Sequence, residues 1–279
     1  MRLLVTSRLS YELDEPTDFV FQVHAAKTGS QSVASETFSI STNPPVDLFE
    51  VPGALNRVAR STLGPGQVVV DYRAEVEVVP RQFDAAVVRE FDFPELPAEV
   101  LAYLLPSRFC PSDLFNELVA EQFASMPRGC SRASAIADWV HGNLAYFVGS
   151  TGPHTTAADA FQQRKGVCRD FAHVAISLCR AAGIPARYVS AYADALSPPD
   201  FHAIVEVYLL GPESGAWFML DPTHMSSADA VARIAAGRDA ADVAFAWTLG
   251  DVDSTAPEVT VAAPGRVGTG RTGLAVAGA

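Results

Sequence analysis

The stretch QRKGVCRDFAHVAISLCRAAGIPARY, residues Gln163 to Tyr188, predicts a loop, a helix and a strand in succession. Apolar residues lie on nearly every side of the predicted helix, which is typical of a helix buried in a protein core. Gly183 and Pro185 are expected to end it. Cys168 falls in the first turn of the helix, where unpaired backbone N–H groups and the helix dipole stabilise a thiolate. Cys168 is therefore a candidate nucleophile.

A free cysteine is more often a buried structural residue than a nucleophile, and this alternative stays open for Cys168. It is the simpler interpretation of the other three cysteines, Cys110, Cys130 and Cys179. The sequence has no C-x-x-C pair, so neither a zinc ribbon nor a thioredoxin motif is predicted. A disulfide between Cys110 and Cys130 stays open, although a reducing compartment disfavours it.

The composition of the chain limits its function. Its 279 residues are 49% apolar and carry a formal net charge of −12. A packed core is therefore easily built, and the acidic surface disfavours binding to nucleic acid. The N-terminal stretch lacks the pattern of a signal peptide, and no apolar run is long enough for a membrane helix. We expect a soluble cytoplasmic protein with no membrane partner, whereas the oligomeric state has no signature in the sequence.

The first part of the chain predicts short antiparallel strands. In QVVVDYRAEVEVV, residues 67–79, apolar side chains alternate with polar ones, which is the period of a half-buried strand. FVFQVHA and ETFSIST are shorter strand candidates, and turns rich in Gly and Pro separate them. These short strands are typical of an antiparallel β-sandwich.

Helical patterns begin at about Pro94. The segment PSDLFNELVAEQFASM is predicted to form a helix that buries Leu114, Leu118 and Phe123. After the Cys168 helix, the strand FHAIVEVYLL and its return strand AWFMLDPT predict a hairpin.

The predicted fold class is α+β. An N-terminal antiparallel β-sandwich-like domain is followed by a core of helices packed on an antiparallel sheet. The last residues are rich in Gly and are expected to form a flexible tail. The predicted limits are 1–90 for the β domain, 91–263 for the core and 264–279 for the tail.

The hairpin offers a base and an acid for the thiol. His202 and Glu206 share one face of the first strand, and Asp221 belongs to a matching face of the second. If Leu209 pairs with Ser214, His202 lies directly opposite Asp221, with Cβ atoms roughly 5 Å apart. A carboxylate there would orient the imidazole and leave its other nitrogen for the thiol. Taken singly, a half-buried strand histidine and a turn aspartate are the simpler interpretations.

The remaining histidines compete less well as a base. His173 lies about 140° around the helix from Cys168 and is interpreted as a packing or hydrogen-bonding residue. His24 and His141 are most simply structural, whereas His154 and His224 could line a substrate cleft.

Two further interpretations concern charge and metal. Asp170 is expected to interact with the dipole of the Cys168 helix in its first turn, or to hold a residue of the site in position. A metal-dependent hydrolase built on His173, His202 and His224 is a further alternative. No pair of His, Asp or Glu has convincing ligand spacing, so neither a metal nor another cofactor is predicted.

The motifs in the second half of the chain resemble those of the bacterial transglutaminase-like proteins. They are GVCRDFAH and GIPARYVS, followed by FHAIVEVYL and WFMLDPTH, within a similarity that runs from about Tyr146 to Thr223. The N-terminal region, from MRLLVTSRLSYELDEP to YRAEVEVVP, is similar to the small domain that precedes the catalytic core in this group.

The resemblance implies a papain-like core, in which the helix of the nucleophile packs on an antiparallel sheet. It implies Cys168 as the nucleophile, His202 as the general base and Asp221 as the acid that orients it. Relatives usually carry Trp where this chain has Ile204, and this departure is expected to change the wall of the cleft. The family includes proteases, protein cross-linkers, amidases and inactive members, so it implies a site better than a substrate.

We therefore expect a cysteine-dependent enzyme that acts on amide or peptide bonds of a peptide or protein substrate. A protease or amidase with a Cys–His–Asp triad is favoured, because water is always present and no acceptor site for an amine is identified. The alternatives are a protein-glutamine transglutaminase, which passes the acyl group to an amine, and a non-catalytic binding or scaffold module on the same fold.

Overall fold

The computed structural model describes residues 1–51, 56–79, 81–264 and 275–277. It combines α-helices with antiparallel sheets, and the predicted α+β class is confirmed. None of the helices in the described residues is long and apolar enough to cross a membrane.

The first part of the chain forms two antiparallel sheets. Its strands are β1 (Arg2–Leu13), β2 (Thr17–Phe21), β3 (Gln31–Ile40), β4 (Asp47–Glu50), β5 (Arg57–Leu63), β6 (Gly66–Val78) and β7 (Arg81–Gln82). One sheet contains β1, β3 and β6, and the other contains β2, β4 and β5. Burial alternates along β6: Val68, Val70 and Tyr72 are buried, and the residues between them are more exposed. One face of the strand therefore packs in the core. The half-buried strand predicted over residues 67–79 is therefore confirmed.

The middle of the chain is helical. Its α-helices are α1 (Asn116–Gln122), α2 (Cys130–Asn143), α3 (Ala157–Gln163) and α4 (Cys168–Ala181). Single turns of 3-10 helix occur at Ala85–Val87, Phe93–Glu95, Ser112–Phe115 and Ala228–Ala230, and a longer one at Ala98–Leu104. Two short strands, β8 (Ala145–Tyr146) and β9 (Lys165–Gly166), pair in parallel just before α4.

The buried stripe predicted around α1 is wrong at Leu114, which is 68% exposed. Phe115, Val119 and Phe123 are the buried hydrophobic residues of this segment. The reason is that Ser112–Phe115 forms a 3-10 turn rather than α-helix. A 3-10 turn advances about 120° per residue instead of 100°, so its buried face is not the one that an α-helical spacing predicts.

The rest of the chain supplies the core sheet and completes the N-terminal sheets. The strands are β10 (Ala186–Ala193), β11 (Phe201–Leu210), β12 (Gly215–Leu220), β13 (Val231–Gly237), β14 (Ala246–Leu249), β15 (Asp253–Ser254), β16 (Glu258–Ala262) and β17 (Ala275–Ala277). The core sheet has the order β13-β10-β11-β12-β17-β7. Strand β14 pairs with β2, and both β15 and β16 pair with β1, so the chain returns to its N-terminal part.

The domain limits stay predictions. Most of the tail predicted over residues 264–279 lies outside the described residues, and within it Ala275–Ala277 form a strand that pairs with β12.

Helix α4 lies at the centre of the core, as its all-round apolar pattern predicts. Every residue from Asp170 to Arg180 is buried. The α4 side chains share one hydrophobic cluster with Ala203, Val205 and Val207 of β11. Burying an aliphatic side chain contributes about 1.5–3 kcal/mol, so this packing fixes α4 against the sheet. The opposite face of β11 carries His202, Ile204 and Glu206.

The hairpin of β11 and β12 is confirmed, but its predicted register is wrong by two residues. Leu209 pairs with Ala216 and not with Ser214, and Leu210 remains in the strand opposite Gly215. Leu210 stays extended because it exchanges two backbone hydrogen bonds with Arg89, at 2.8 and 3.0 Å. A shift of two residues preserves the face of every side chain, whereas a shift of one would have reversed it.

Candidate functional site

Cys168 is the first residue of α4, as predicted, and its side chain is half-buried. The turn that presents it is held by Asp170, which is fully buried. The Asp170 carboxylate accepts hydrogen bonds from the backbone N–H of Val167 at 2.9 Å and from the hydroxyl of Thr151 at 2.6 Å. A carboxylate at this end of the helix also interacts favourably with the helix dipole. Asp170 therefore supports the N-terminal turn of α4, as expected.

Arg169 and Gly166 complete this support. The guanidinium of Arg169 donates to the carbonyl oxygen of Gly152 at 2.6 Å and to Asp170 at 3.1 Å. A side chain at position 166 would place its Cβ 2.5 Å from Cβ of Asp170, so only glycine fits there. The loop that precedes α3 is thus fastened to the turn that carries Cys168.

The structure brings all three predicted site residues together. Nε2 of His202 lies 2.9 Å from Oδ2 of Asp221, and the imidazole also hydrogen-bonds with Cys168. Because Asp221 engages Nε2, the nitrogen left for the sulfur is Nδ1. With the observed register Asp221 follows the end of β12, opposite Ile204 and on the face that also carries His202. The two-residue error in register therefore leaves the predicted contact intact.

Asp221 is held by the turn that follows it. Oδ1 accepts from the N–H and the hydroxyl of Thr223, at 2.9 and 2.6 Å. Oδ2 accepts from the N–H and the hydroxyl of Ser226, at 2.9 and 2.7 Å, in addition to His202. A carboxylate with this many donors is fixed in orientation and favoured in its charged form.

The electrostatics of the pair favour charge on both partners. Burial opposes the charged imidazole, but the hydrogen bond and the charge of Asp221, together with Cys168, raise the pKa of His202 to about 10. Burial likewise opposes the charged carboxylate, but His202, Thr223 and Ser226 lower the pKa of Asp221 well below its ordinary value. An imidazolium held in this way stabilises an anion formed on the neighbouring sulfur.

Sequence reasoning missed Tyr146, which also contacts the thiol. Its hydroxyl hydrogen-bonds with the backbone N–H and with the side chain of Cys168. Burial and the charge of Cys168 raise the pKa of Tyr146 to about 12. Parallel pairing of Tyr146 with Gly166 brings the ring next to the start of α4. The available signal was an aromatic residue at the end of the helical pattern of α2, before the loop that leads to α3.

The other predicted candidates lie in separate environments. His173 is fully buried between Phe109 and Tyr188, and its Nε2 accepts from the N–H of Ala240 at 3.2 Å. His224 binds Asp138 at 2.9 Å. In the part of the chain that the structure describes, no group of three His, Cys, Asp or Glu side chains could hold a metal ion.

The remaining three candidate histidines differ in burial. His24 is buried between the rings of Phe38 and Tyr72 in the N-terminal sheets. His141 and His154 are exposed.

Three cysteines and Ile204 have structural positions. All four cysteines are free, so Cys110 and Cys130 form no disulfide. Burial raises the pKa of Cys110 and that of Cys179 to about 12, which makes both thiols poor nucleophiles. Ile204 is fully buried in a small hydrophobic cluster with Val189 and Ala191, and the expected change in the wall of the cleft stays a prediction.

Comparison with known proteins agrees with this architecture. Residues 117–222 match the family model of the transglutaminase-like superfamily, and residues 1–98 match that of the bacterial transglutaminase N-terminal domain. A solved structure of a candidate cysteine protease from Cytophaga hutchinsonii is 34% identical to this chain. The similarity covers 99% of this chain and 98% of that one, with a TM-score of 0.92.

Mycobacterial relatives are similar over a shorter range. An uncharacterised protein of Mycobacterium leprae is 32% identical over 167 residues, which are 57% of this chain and 55% of the relative. An uncharacterised protein of Mycobacterium tuberculosis is 31% identical over 161 residues, which are 54% of this chain and 46% of the relative. The chain thus spans about half the length of the curated relatives it matches.

The near-complete match to the Cytophaga protein and the two family models lead to one conclusion, which is independent of any activity. This chain belongs to the bacterial transglutaminase-like proteins and has a transglutaminase-like core preceded by the N-terminal domain of that family.

Proposed function

We propose that the protein is a cysteine-dependent acyl-transfer enzyme that cleaves amide or peptide bonds in a peptide or protein substrate. One observation carries this proposal. A single imidazole, that of His202, binds the carboxylate of Asp221 through Nε2 and also interacts with the thiol of Cys168, for which Nδ1 is left. This is the arrangement that activates a nucleophilic thiol.

In the first half-reaction, Sγ of Cys168 attacks the carbonyl carbon of the scissile amide and a C–S bond forms. His202 accepts the thiol proton and transfers it to the leaving nitrogen as the C–N bond breaks. The products are a free amine and a thioester on Cys168. Asp221 keeps the imidazole in the correct tautomer and stabilises its charged form.

The developing oxyanion needs donors. The N–H of Cys168 points from the first turn of α4, and the Tyr146 hydroxyl lies beside it. We propose that both groups donate hydrogen bonds to the carbonyl oxygen of the scissile amide. That oxygen would bind between the N–H of Cys168 and the hydroxyl of Tyr146. Donors fixed in advance stabilise the transition state without reorganisation.

The second half-reaction releases the acyl group. Water gives up a proton to His202 and attacks the thioester carbon, after which the C–S bond breaks and the sulfur recovers its proton. The same thioester can instead pass to a primary amine, as in a transglutaminase. We favour hydrolysis, and the description of the Cytophaga relative as a candidate cysteine protease supports that choice.

The test compares wild type with Cys168→Ala on a library of peptides, in the presence and absence of primary amines. Loss of all turnover in Cys168→Ala and retention in Cys130→Ala are the expected results. Alkylation by iodoacetamide at neutral pH should modify Cys168 and leave the deeply buried Cys110 and Cys179 unlabelled. Turnover that survives Cys168→Ala would remove this mechanism, and products that contain the added amine would favour transamidation.

A further inference from the structure

The turn that holds Asp221 is fastened to α2 by the side chain of His224. Nε2 of His224 lies 2.9 Å from Oδ1 of Asp138. The His224 ring also stacks on the ring of His141, with centroids 4.0 Å apart and planes inclined by 16°. Asp138 and His141 are both on α2, one turn apart. Two independent contacts therefore join one imidazole to one helix.

This contact connects the two sides of the candidate site. His224 belongs to the turn after β12, and its backbone N–H donates to the carbonyl oxygen of Asp221 at 3.1 Å. Helix α2 ends at Asn143, and the chain continues directly into β8 with Tyr146. The element that orients the imidazole is thus tied to the element that brings the phenol to Cys168.

The backbone of His224 indicates that this arrangement has a cost. Its φ angle is 58°, in the left-handed region that residues other than Gly adopt uncommonly. Such a conformation is strained and persists when surrounding contacts hold it. The contact with Asp138 and the stack on His141 hold the ring of His224 against α2.

A displacement of this turn would reach the imidazole of His202 directly. Oδ2 of Asp221 is shared between His202 and the hydroxyl and N–H of Ser226, two residues after His224. If the turn moved, the carboxylate would move with it, and the His202 ring would lose the partner that sets its tautomer.

We propose that His224 is a positioning residue, whose contacts with Asp138 and His141 hold the Asp221 turn so that Asp221 stays aligned with His202. We call these three side chains the His224 clamp. The inference goes beyond the proposed function, although its kinetic readout rests on that function.

Two variants remove the clamp without forcing a new backbone conformation. His224→Gly adopts the left-handed conformation freely, and His224→Asn tolerates it, but neither retains the stacked ring. We expect kcat to fall by roughly 10- to 100-fold with little change in KM, because misplacement of a catalytic group slows the chemical step more than binding. Gly at this position relieves backbone strain, so a purely structural role predicts unchanged or higher stability and unchanged kcat.

Substitutions on α2 separate the two contacts. Asp138→Asn keeps an acceptor oxygen but removes the charge of a half-exposed pair, and we expect a decrease of about 2- to 5-fold in kcat. His141→Phe keeps a ring for stacking and should retain most of the activity, whereas His141→Ala should not. Asp251→Asn removes the charge of an exposed aspartate after β14 and is the matched control for Asp138→Asn.

A measurement without turnover keeps the test independent of the proposed activity. The proton between His202 and Asp221 should give a downfield ¹H NMR signal, which we expect to broaden or disappear in His224→Gly and to persist in Asp251→Asn. An unchanged signal together with unchanged kcat would overturn the clamp. If wild type shows no Cys168-dependent turnover, the proposed function fails, but the NMR signal still decides whether His224 positions Asp221.

Discussion

Two buried charged groups lie on the same face of β11, and only one of them is arranged for chemistry. His202 lies at the start of the strand, and Glu206 lies four residues further along it. His202 binds Asp221 with one nitrogen and meets the half-buried Cys168 with the other. Glu206 is fully buried between Arg187, which donates at 2.7 Å, and Arg233.

The two side chains differ in whether an atom remains for a reactive group. Both carboxylate oxygens of Glu206 are engaged by guanidinium groups, and the Arg187 guanidinium lies 4.0 Å from the Trp217 ring centroid. The backbone of Arg233 in turn bonds Gln31 of the N-terminal sheets, at 2.7 and 2.8 Å. Glu206 therefore serves packing between the two parts of the chain, whereas His202 keeps one nitrogen for a reactive group. Burial and charge alone do not distinguish a site from a structural network.

The largest effect is expected from Asp221→Asn. The amide cannot hold the imidazole in the required tautomer, so we expect kcat to fall on the order of 10⁴-fold while the fold and the Glu206 network persist. Steady-state kinetics on a peptide found in the library screen would measure it, with circular dichroism as the control for folding. Near wild-type turnover in this variant would place His202 in the same inert class as Glu206.

Glu206→Gln should give the opposite phenotype. It leaves the buried guanidinium groups of Arg187 and Arg233 uncompensated, and we expect a loss of about 3–5 kcal/mol in the free energy of unfolding. The kcat of the folded fraction should not change. Asp71→Asn breaks an exposed pair with Arg8 and is the matched control, with a much smaller expected loss of stability in urea unfolding, because both partners are in solvent. A decrease of kcat in folded Glu206→Gln would contradict a purely structural role for Glu206.

Tyr146→Phe tests whether the hydroxyl beside Cys168 takes part in the reaction. Removal of the hydroxyl leaves the backbone N–H of Cys168 as the remaining assigned donor, and loss of one oxyanion donor typically lowers kcat by about 100- to 1000-fold. Tyr208→Phe removes the hydroxyl of a tyrosine on β11 whose ring packs on Phe91 and Trp217, and it should be nearly silent in the same assay. Equal kinetics for the two variants would exclude a catalytic role for the Tyr146 hydroxyl.

The smallest effect is a difference in the pH dependence of stability. The pKa of His202 is raised to about 10, so its stabilising contribution is complete below about pH 6.5 and is lost as the pH rises through about 10. Burial would raise the pKa of Glu206, but Arg233 and Arg187 lower it, so its contribution is present above the ordinary pKa and is lost as the pH falls.

The expected result is that the two sites lose their stabilising effect at opposite ends of the pH scale. The stability gap between wild type and His202→Gln should shrink towards alkaline pH, by at most about 1.4 kcal/mol per pH unit. The gap between wild type and Glu206→Gln should shrink towards acid. Urea unfolding of the three proteins, from well below pH 4 to above pH 10, measures both gaps. Parallel changes in the two gaps would contradict the assignment of charge.

Much of the candidate site could be predicted because its signals are local. The start of α4 at Cys168 follows from the loop before it and the apolar pattern after it. The shared face of His202 and Asp221 follows from the period of two in a strand, and it survived an error of two residues in register because two is that period. The Leu114 error has the same local origin, since a 3-10 turn changes the rotation per residue.

The sequence by itself determined the α+β class, the helix that begins at Cys168 and the faces of the hairpin, because periodicity and end signals act within a few residues. Only the tertiary structure decided the pairing of β14, β15 and β16 with the N-terminal strands, the contact of Tyr146 with Cys168 and the attachment of His224 to α2. These depend on segments far apart in the chain, whose meeting is set by packing of the whole core and leaves no periodic trace in the sequence.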